Sequence, residues 1–234
     1  MNDESNLFSS NQNCEEPKSK EYLAIQKEVA SFAAWMREYV IGVAKKLGER
    51  FHIGGELHES GYFILAGLTS YFEGVGQHII GSGYEKRGGK SLNREYAVTL
   101  LEIFGAALNN DEETAKEFKN CVRNGLAHDG AVRNRVELSR HFNSPIETIR
   151  DKQSKIIGFK INPHLVAKEV DMHFTRYIAK LQSGRPEYHE MRQNFAKRRD
   201  EIDRFSVADS NTNSTTSTSC TPSPNFSEFQ RPTQ

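Results

Sequence analysis

Ile25, Val29, Phe32, Met36, Val40, Val43 and Leu47 recur three or four residues apart and predict one amphipathic helix from about Lys20 to Arg50. A second stripe, Ile64, Leu68, Phe72, Val75 and Ile79, ends at Gly81 and Gly83, where glycine suits a helix C-terminus. The third, Leu92, Tyr96, Leu100, Ile103 and Ala107, stops at Asn109-Asn110. A fourth helix is expected to take Asn110 as N-cap, with Glu113 at capping-box spacing. It continues through Phe118, Val122 and Leu126 towards Gly130. After Gly130 the period changes. Val136–Arg140 and Lys155–Ile161 are short, β-branched and partly alternating, and predict a two-stranded ribbon leaning on the helices. A polar stretch containing Pro145 separates them. Asn162-Pro163 opens a further helix with the stripe Val166, Val170, Phe174, Ile178 and Leu181, and a last charged helix runs from about Pro186 to Phe205.

The reading is mainly α: a helical bundle with a small β excursion. Both ends fall outside it. Residues 1–18 are polar and acidic, and residues 206–234 are a Ser/Thr/Asn run with prolines, so both are expected to be disordered around one domain at 19–205. Two Asn-x-Ser/Thr triplets in the tail, at Asn213 and Asn225, read as chance matches, because residues 1–18 lack an apolar signal core.

Composition narrows the function classes. Hydrophobic residues make up 36% of the chain and no run approaches the ~20 apolar residues of a membrane span. The three cysteines, Cys14, Cys121 and Cys220, offer no disulfide framework, and the expected location is the cytoplasm. Thirty-one Lys and Arg balance thirty-one Asp and Glu, which excludes a coat for nucleic acid held by bulk charge. The balance is uneven along the chain. Between Arg123 and Lys160, eight Lys or Arg meet four Asp or Glu.

Three motifs fail. Gly83–Ser91 resembles a phosphate-binding loop, but Tyr84 stands where its first glycine belongs and a helix precedes it. The eight histidines, His52, His58 and His78 among them, show no metal-ligand spacing, so no metal or cofactor is expected. No nucleophile elbow or dinucleotide fingerprint occurs.

Cys121-Val-Arg-Asn-Gly-Leu-Ala-His-Asp-Gly130 survives. Arg123 and Asn124 fall beside Val122 and Leu126 on the expected buried face, where a cation needs a carboxylate, a phosphate or a partner chain. On an ideal helix Asn124 and His128 share a face, whereas Arg123 and His128, five apart, are turned about 140° from each other. Both reach one ligand only if the helix loosens near Gly125, if His128 is leaving it, or if a second copy completes the site.

Arg123-Asn-Gly-Leu-Ala-His128 resembles the R-x(4–6)-H signature of the HEPN (higher eukaryotes and prokaryotes nucleotide-binding) superfamily, in the version with Asn directly after Arg. Ser70-Tyr-Phe-Glu73 and the hairpin leading into Asn162-Pro163 are also similar to bacterial members, over roughly residues 20–205. The resemblance implies a four- to five-helix bundle that pairs as a homodimer and joins two motifs at one cleft. It further implies a metal-independent endoribonuclease of toxin–antitoxin or defence systems, with RNA as substrate and an antitoxin as partner. His128 would transfer protons, Arg123 would hold phosphate oxygens, Asn124 would orient either, and Glu73 would fix Arg123. A structural alternative stays open: Arg123 paired with Glu73, Asn124 bonded to backbone, and His128 capping the helix C-terminus, in a non-catalytic dimerisation or nucleotide-binding module.

Overall fold

The computed structural model describes residues 20–53, 60–81, 91–129, 131–133 and 135–212. The expectations for residues 1–18, for the loop at 82–90 and for 213–234 lie outside them. Helices α1 (Lys20–Met36), α2 (Gly42–Ile53), α3 (Ser60–Ile80), α4 (Ser91–Phe104), α5 (Glu112–Cys121), α6 (Pro163–Gln182) and α7 (His189–Thr212) are accompanied by a three-stranded sheet of β1 (Val136–Leu138), β2 (Ile146–Arg150) and β3 (Ile156–Ile161). The mainly α architecture with a small β excursion is as expected. None of the described helices is long and apolar enough to cross a membrane.

α1 and α2 form one helical path, joined by a π turn at Arg37–Ile41 whose flanking residues keep helical angles. The extra residue shifts the phase of the stripe. Phe32 and Met36 stay buried, but the next core positions are Ile41 and Ala44 rather than Val40 and Val43, and Val43 is 47% exposed. A period of 3.6 extrapolated through a turn bonded i→i+5 slips by one residue, and this corrects the predicted stripe. Gly42 makes the turn possible, since a Cβ there would collide with the Arg37 carbonyl.

α3 is the central helix. It packs on α2, α4, α6 and α7, and Ile64, Leu65, Leu68, Tyr71, Phe72 and Val75 carry the core. It ends where the glycines predict, with Gly81 at φ 64° and its N–H donating to Gln77 O at 2.9 Å. α3 and α4 lie so close at Gly76 that any Cβ would strike the Glu95 carbonyl.

The cap of α5 is Asp111, not Asn110. Asn110 sits at φ 51° and closes the preceding turn on Gly105 O, whereas Asp111 is extended and accepts from the N–H groups of Glu113 and Thr114. These bonds, the Thr114 hydroxyl first, hold its carboxyl below the usual carboxylate range.

The sheet corrects the ribbon. Its order is β1-β3-β2, with β1 parallel to β3 and β2 antiparallel to it. The stretch after Pro145 supplies β2, so the hairpin is β2–β3 and β1 joins the far side of β3. Asp151 closes that hairpin by accepting from Gln153 N and Lys155 N, both at 2.9 Å. The rings of Phe118 and Phe159, 5.3 Å apart, seat the sheet on α5. Asn162 caps α6 as predicted, and its amide also ties back to the carbonyls of Arg140 and Phe142. α7 follows a short 3-10 turn at Pro186–Tyr188 and runs on to Thr212, past the Phe205 boundary expected for the domain.

Candidate functional site

The fourth predicted helix is not continuous. α5 stops at Cys121, Val122 forms its C-cap at φ −97° and ψ −68°, and a π turn spans Gly125–Asp129. The chain then folds back, with Arg133 N donating to Cys121 O at 3.1 Å. This return requires glycine. A Cβ on Gly125 would lie 2.6 Å from Ala131 O and 3.2 Å from Arg133 N. Arg135 fastens the segment to its surroundings, pairing with Glu117 of α5 and donating to the Ile157 carbonyl of β3 at 3.2 Å. The Cys121 thiol, pushed up by burial and by the Glu117 carboxylate it faces, is a core group here.

Three of the four expected site residues meet. Arg123 Nη2 lies 3.4 Å from Glu73 Oε2, and Nη1 lies 3.4 Å from Asn124 Oδ1. Asn124 is held in turn by donating to Asn120 Oδ1 at 3.1 Å. The cluster is at the rim of the core and not inside it, since the side chains of Arg123 and Glu73 are 30% and 21% exposed. Partial exposure accounts for how the bundle carries an arginine beside Val122.

His128 stands apart. It is exposed on the π turn, and among the described residues no hydrogen bond joins its imidazole to the other three. The turn bears on the angle that separates it from Arg123. Bonding i→i+5 winds less per residue than an α-helix, so residues five apart move towards one face. The π turn starts only at Gly125, so it closes that angle in part.

Spacing arguments missed the layer beneath. Lys119, one turn before Arg123, is 6% exposed, with its ammonium 5.5 Å from the Tyr96 ring centroid. Burial lowers its pKa, Glu73 and Glu95 oppose that shift, and Arg123 adds to it. Glu95 and Tyr96 come from α4 and are buried. Two cations and two carboxylates therefore share one region, and charge there is balanced. The signal in the sequence was the four-residue step from Lys119 to Arg123 and from Asn120 to Asn124, which places each pair on one helical face.

Two further polar groups sit on α3 away from this site. Tyr71 OH lies 2.6 Å from His173 Nδ1, and His173 Nε2 lies 3.3 Å from Glu102 Oε2. That bond to His173 holds the Glu102 carboxyl down. His78 lies between the rings of Phe32 and Phe195, tilted 38° and 30° to them, and its Nδ1–H donates to Gly74 O at 2.8 Å. Among the described residues, no group of three or more His, Cys, Asp or Glu could hold a metal ion. Compared with protein-family models, curated proteins and solved structures, the chain matches none.

Proposed function

We propose that this chain is a metal-independent endoribonuclease of HEPN type, acting as a homodimer in the cytoplasm as the toxic or effector part of a defence system. The observation that carries the proposal is the convergence of Arg123, Asn124 and Glu73 in one solvent-reachable cluster, from which a π turn leads to an exposed His128. In the reaction the 2′-oxygen attacks phosphorus, its proton passes to a His128 imidazole, and the bond to the 5′-oxygen breaks. A second imidazole, from the other copy, gives the 5′-oxygen its proton. Arg123 holds the non-bridging oxygens as negative charge builds on them. The products carry a 2′,3′-cyclic phosphate and a free 5′-hydroxyl. An antitoxin would act by covering this cleft.

The test is cleavage of single-stranded RNA by purified protein in the presence of EDTA. Arg123→Ala and His128→Ala should each abolish cleavage and leave the thermal transition and the dimer unchanged. Persistent cleavage by both variants sinks the mechanism. A second reading, a non-catalytic dimerisation or nucleotide-binding module, draws on the Arg123–Glu73 pair and on His128 having no bond to it. Under that reading Arg123→Ala lowers stability by more than the ~0.5 kcal/mol of an ordinary surface change, and no RNA is cut.

A further inference from the structure

Arg123 is assigned a phosphate in the mechanism above, yet in the free protein its guanidinium already faces a carboxylate. Resting on that assignment, we propose that Glu73 is an internal competitor for the phosphate, so that the Arg123–Glu73 pair is the closed state of an anion site that substrate opens by exchange. The geometry argues for exchange over permanent clamping. A charge-assisted bond to a guanidinium is normally about 2.7–2.9 Å and often two-pronged. Here, among the described residues, one carboxylate oxygen meets one nitrogen at 3.4 Å, and the other terminal nitrogen meets a neutral amide oxygen, also at 3.4 Å. A phosphodiester offers two non-bridging oxygens to a fork that is now poorly filled.

Access and aftermath fit as well. Both partners are partly exposed, so an anion can reach Arg123 without opening the core. When Arg123 turns to a phosphate, Glu73 is not left bare, because it remains in the field of the buried Lys119. Glu95 is buried in the same region and keeps that ammonium from acting as an uncompensated charge. Exchange therefore costs little beyond the weak pair itself. This reverses the sign expected if Glu73 merely fixed Arg123 for catalysis, since removing a clamp would weaken binding.

A short 2′-O-methyl oligouridylate is the probe, because its blocked 2′-oxygen prevents turnover and leaves binding alone to be read by fluorescence anisotropy. Glu73→Gln should bind it tighter, on the order of threefold, the size of a weak ion pair, with the gap widest at low salt. Arg123→Ala should bind it more weakly, and Glu73→Gln should then have no further effect in that background. Thermal melts accompany each variant. Glu73→Asp, which keeps the charge and withdraws it from Arg123, should shift binding in the same direction and supplies the comparison if the amide variant melts early. Unchanged or weaker binding by both Glu73 variants, with Arg123→Ala still impaired, overturns the competition and leaves the phosphate assignment standing. Binding by Arg123→Ala equal to that of the unaltered chain overturns the phosphate assignment itself, and the competition with it.

Discussion

The imidazole of His78 should make the fold acid-sensitive in a defined window. Burial is the main cause that takes its pKa from 6.5 down to about 4, the nearby Arg198 and Arg199 push it the same way, and the bond to Gly74 O opposes them. The unfolded chain therefore binds a proton that the folded one refuses. Its contribution is fully present above ~6.5, declines as pH falls towards ~4, and changes no further below that. At ~1.36 kcal/mol per pH unit, the distance between the two values caps the effect at ~3 kcal/mol, with about 2 kcal/mol lost between about pH 7 and about pH 5. His78→Phe removes the titration while leaving a ring between Phe32 and Phe195. The assay is urea unfolding across this range for both proteins, read as the difference in unfolding free energy. Carboxylates held low, such as Asp111 and Glu102, also lose stability as pH falls, but they do so in both proteins and cancel. Parallel stability curves, with no gap opening towards acid, would refute the reasoning.

Other consequences are equally direct. Gly125→Ala should cost about 1–3 kcal/mol in urea unfolding, since a Cβ 2.6 Å from Ala131 O forces the return chain outward. Asp111→Ala should lower stability by about 1 kcal/mol through loss of two backbone cap bonds, checked by the thermal midpoint. Val43→Lys should be nearly silent, within about 0.5 kcal/mol, because Val43 faces solvent, whereas Ala44→Lys should unfold most of the protein by circular dichroism, because Ala44 is 2% exposed. The reverse outcome would remove the phase shift at Arg37–Ile41.

Much of the scaffold was legible as periodicity. α3 and α6 follow their stripes, and α4 keeps Tyr96 and Leu100, after which Phe104 and Leu108 are buried in place of the expected Ile103 and Ala107. Gly81 and Asn162 do at their helix ends what glycine and a side-chain acceptor do generally. The errors share a cause: each arises where hydrogen-bond closure, not hydrophobic period, decides. The π turn moved the core from Val43 to Ala44, the turn closed by Asn110 passed the cap to Asp111, and β2 was hidden because Ile146 and Ile149 fall on opposite faces and only pairing with β3 makes Ile146–Arg150 a strand. At the candidate site, Arg123 and Asn124 could be picked out by residue type and spacing, and Glu73 through the resemblance. Lys119 was marked only by its four-residue step before Arg123, and Glu95 could not be picked out at all, because its place depends on α3 and α4 approaching at Gly76, a contact between distant stretches of chain.

The parallel pairing of β1 with β3 has a consequence for the order of assembly. Arg135 must wait for Ile157 and Phe159, because its side chain donates to the carbonyl of the first and its own carbonyl accepts from the amide of the second. During synthesis, Arg123 to Asp129 emerge well before that strand exists. The backbone that braces them is completed only after β2 has turned back and β3 has come to lie between β1 and β2. Such non-local closure is paid for in chain entropy before any contact repays it. The segment carrying Arg123 and His128 thus acquires its final shape only once β3 is in place, and a chain cut short before β3 would present those side chains without the geometry that holds them.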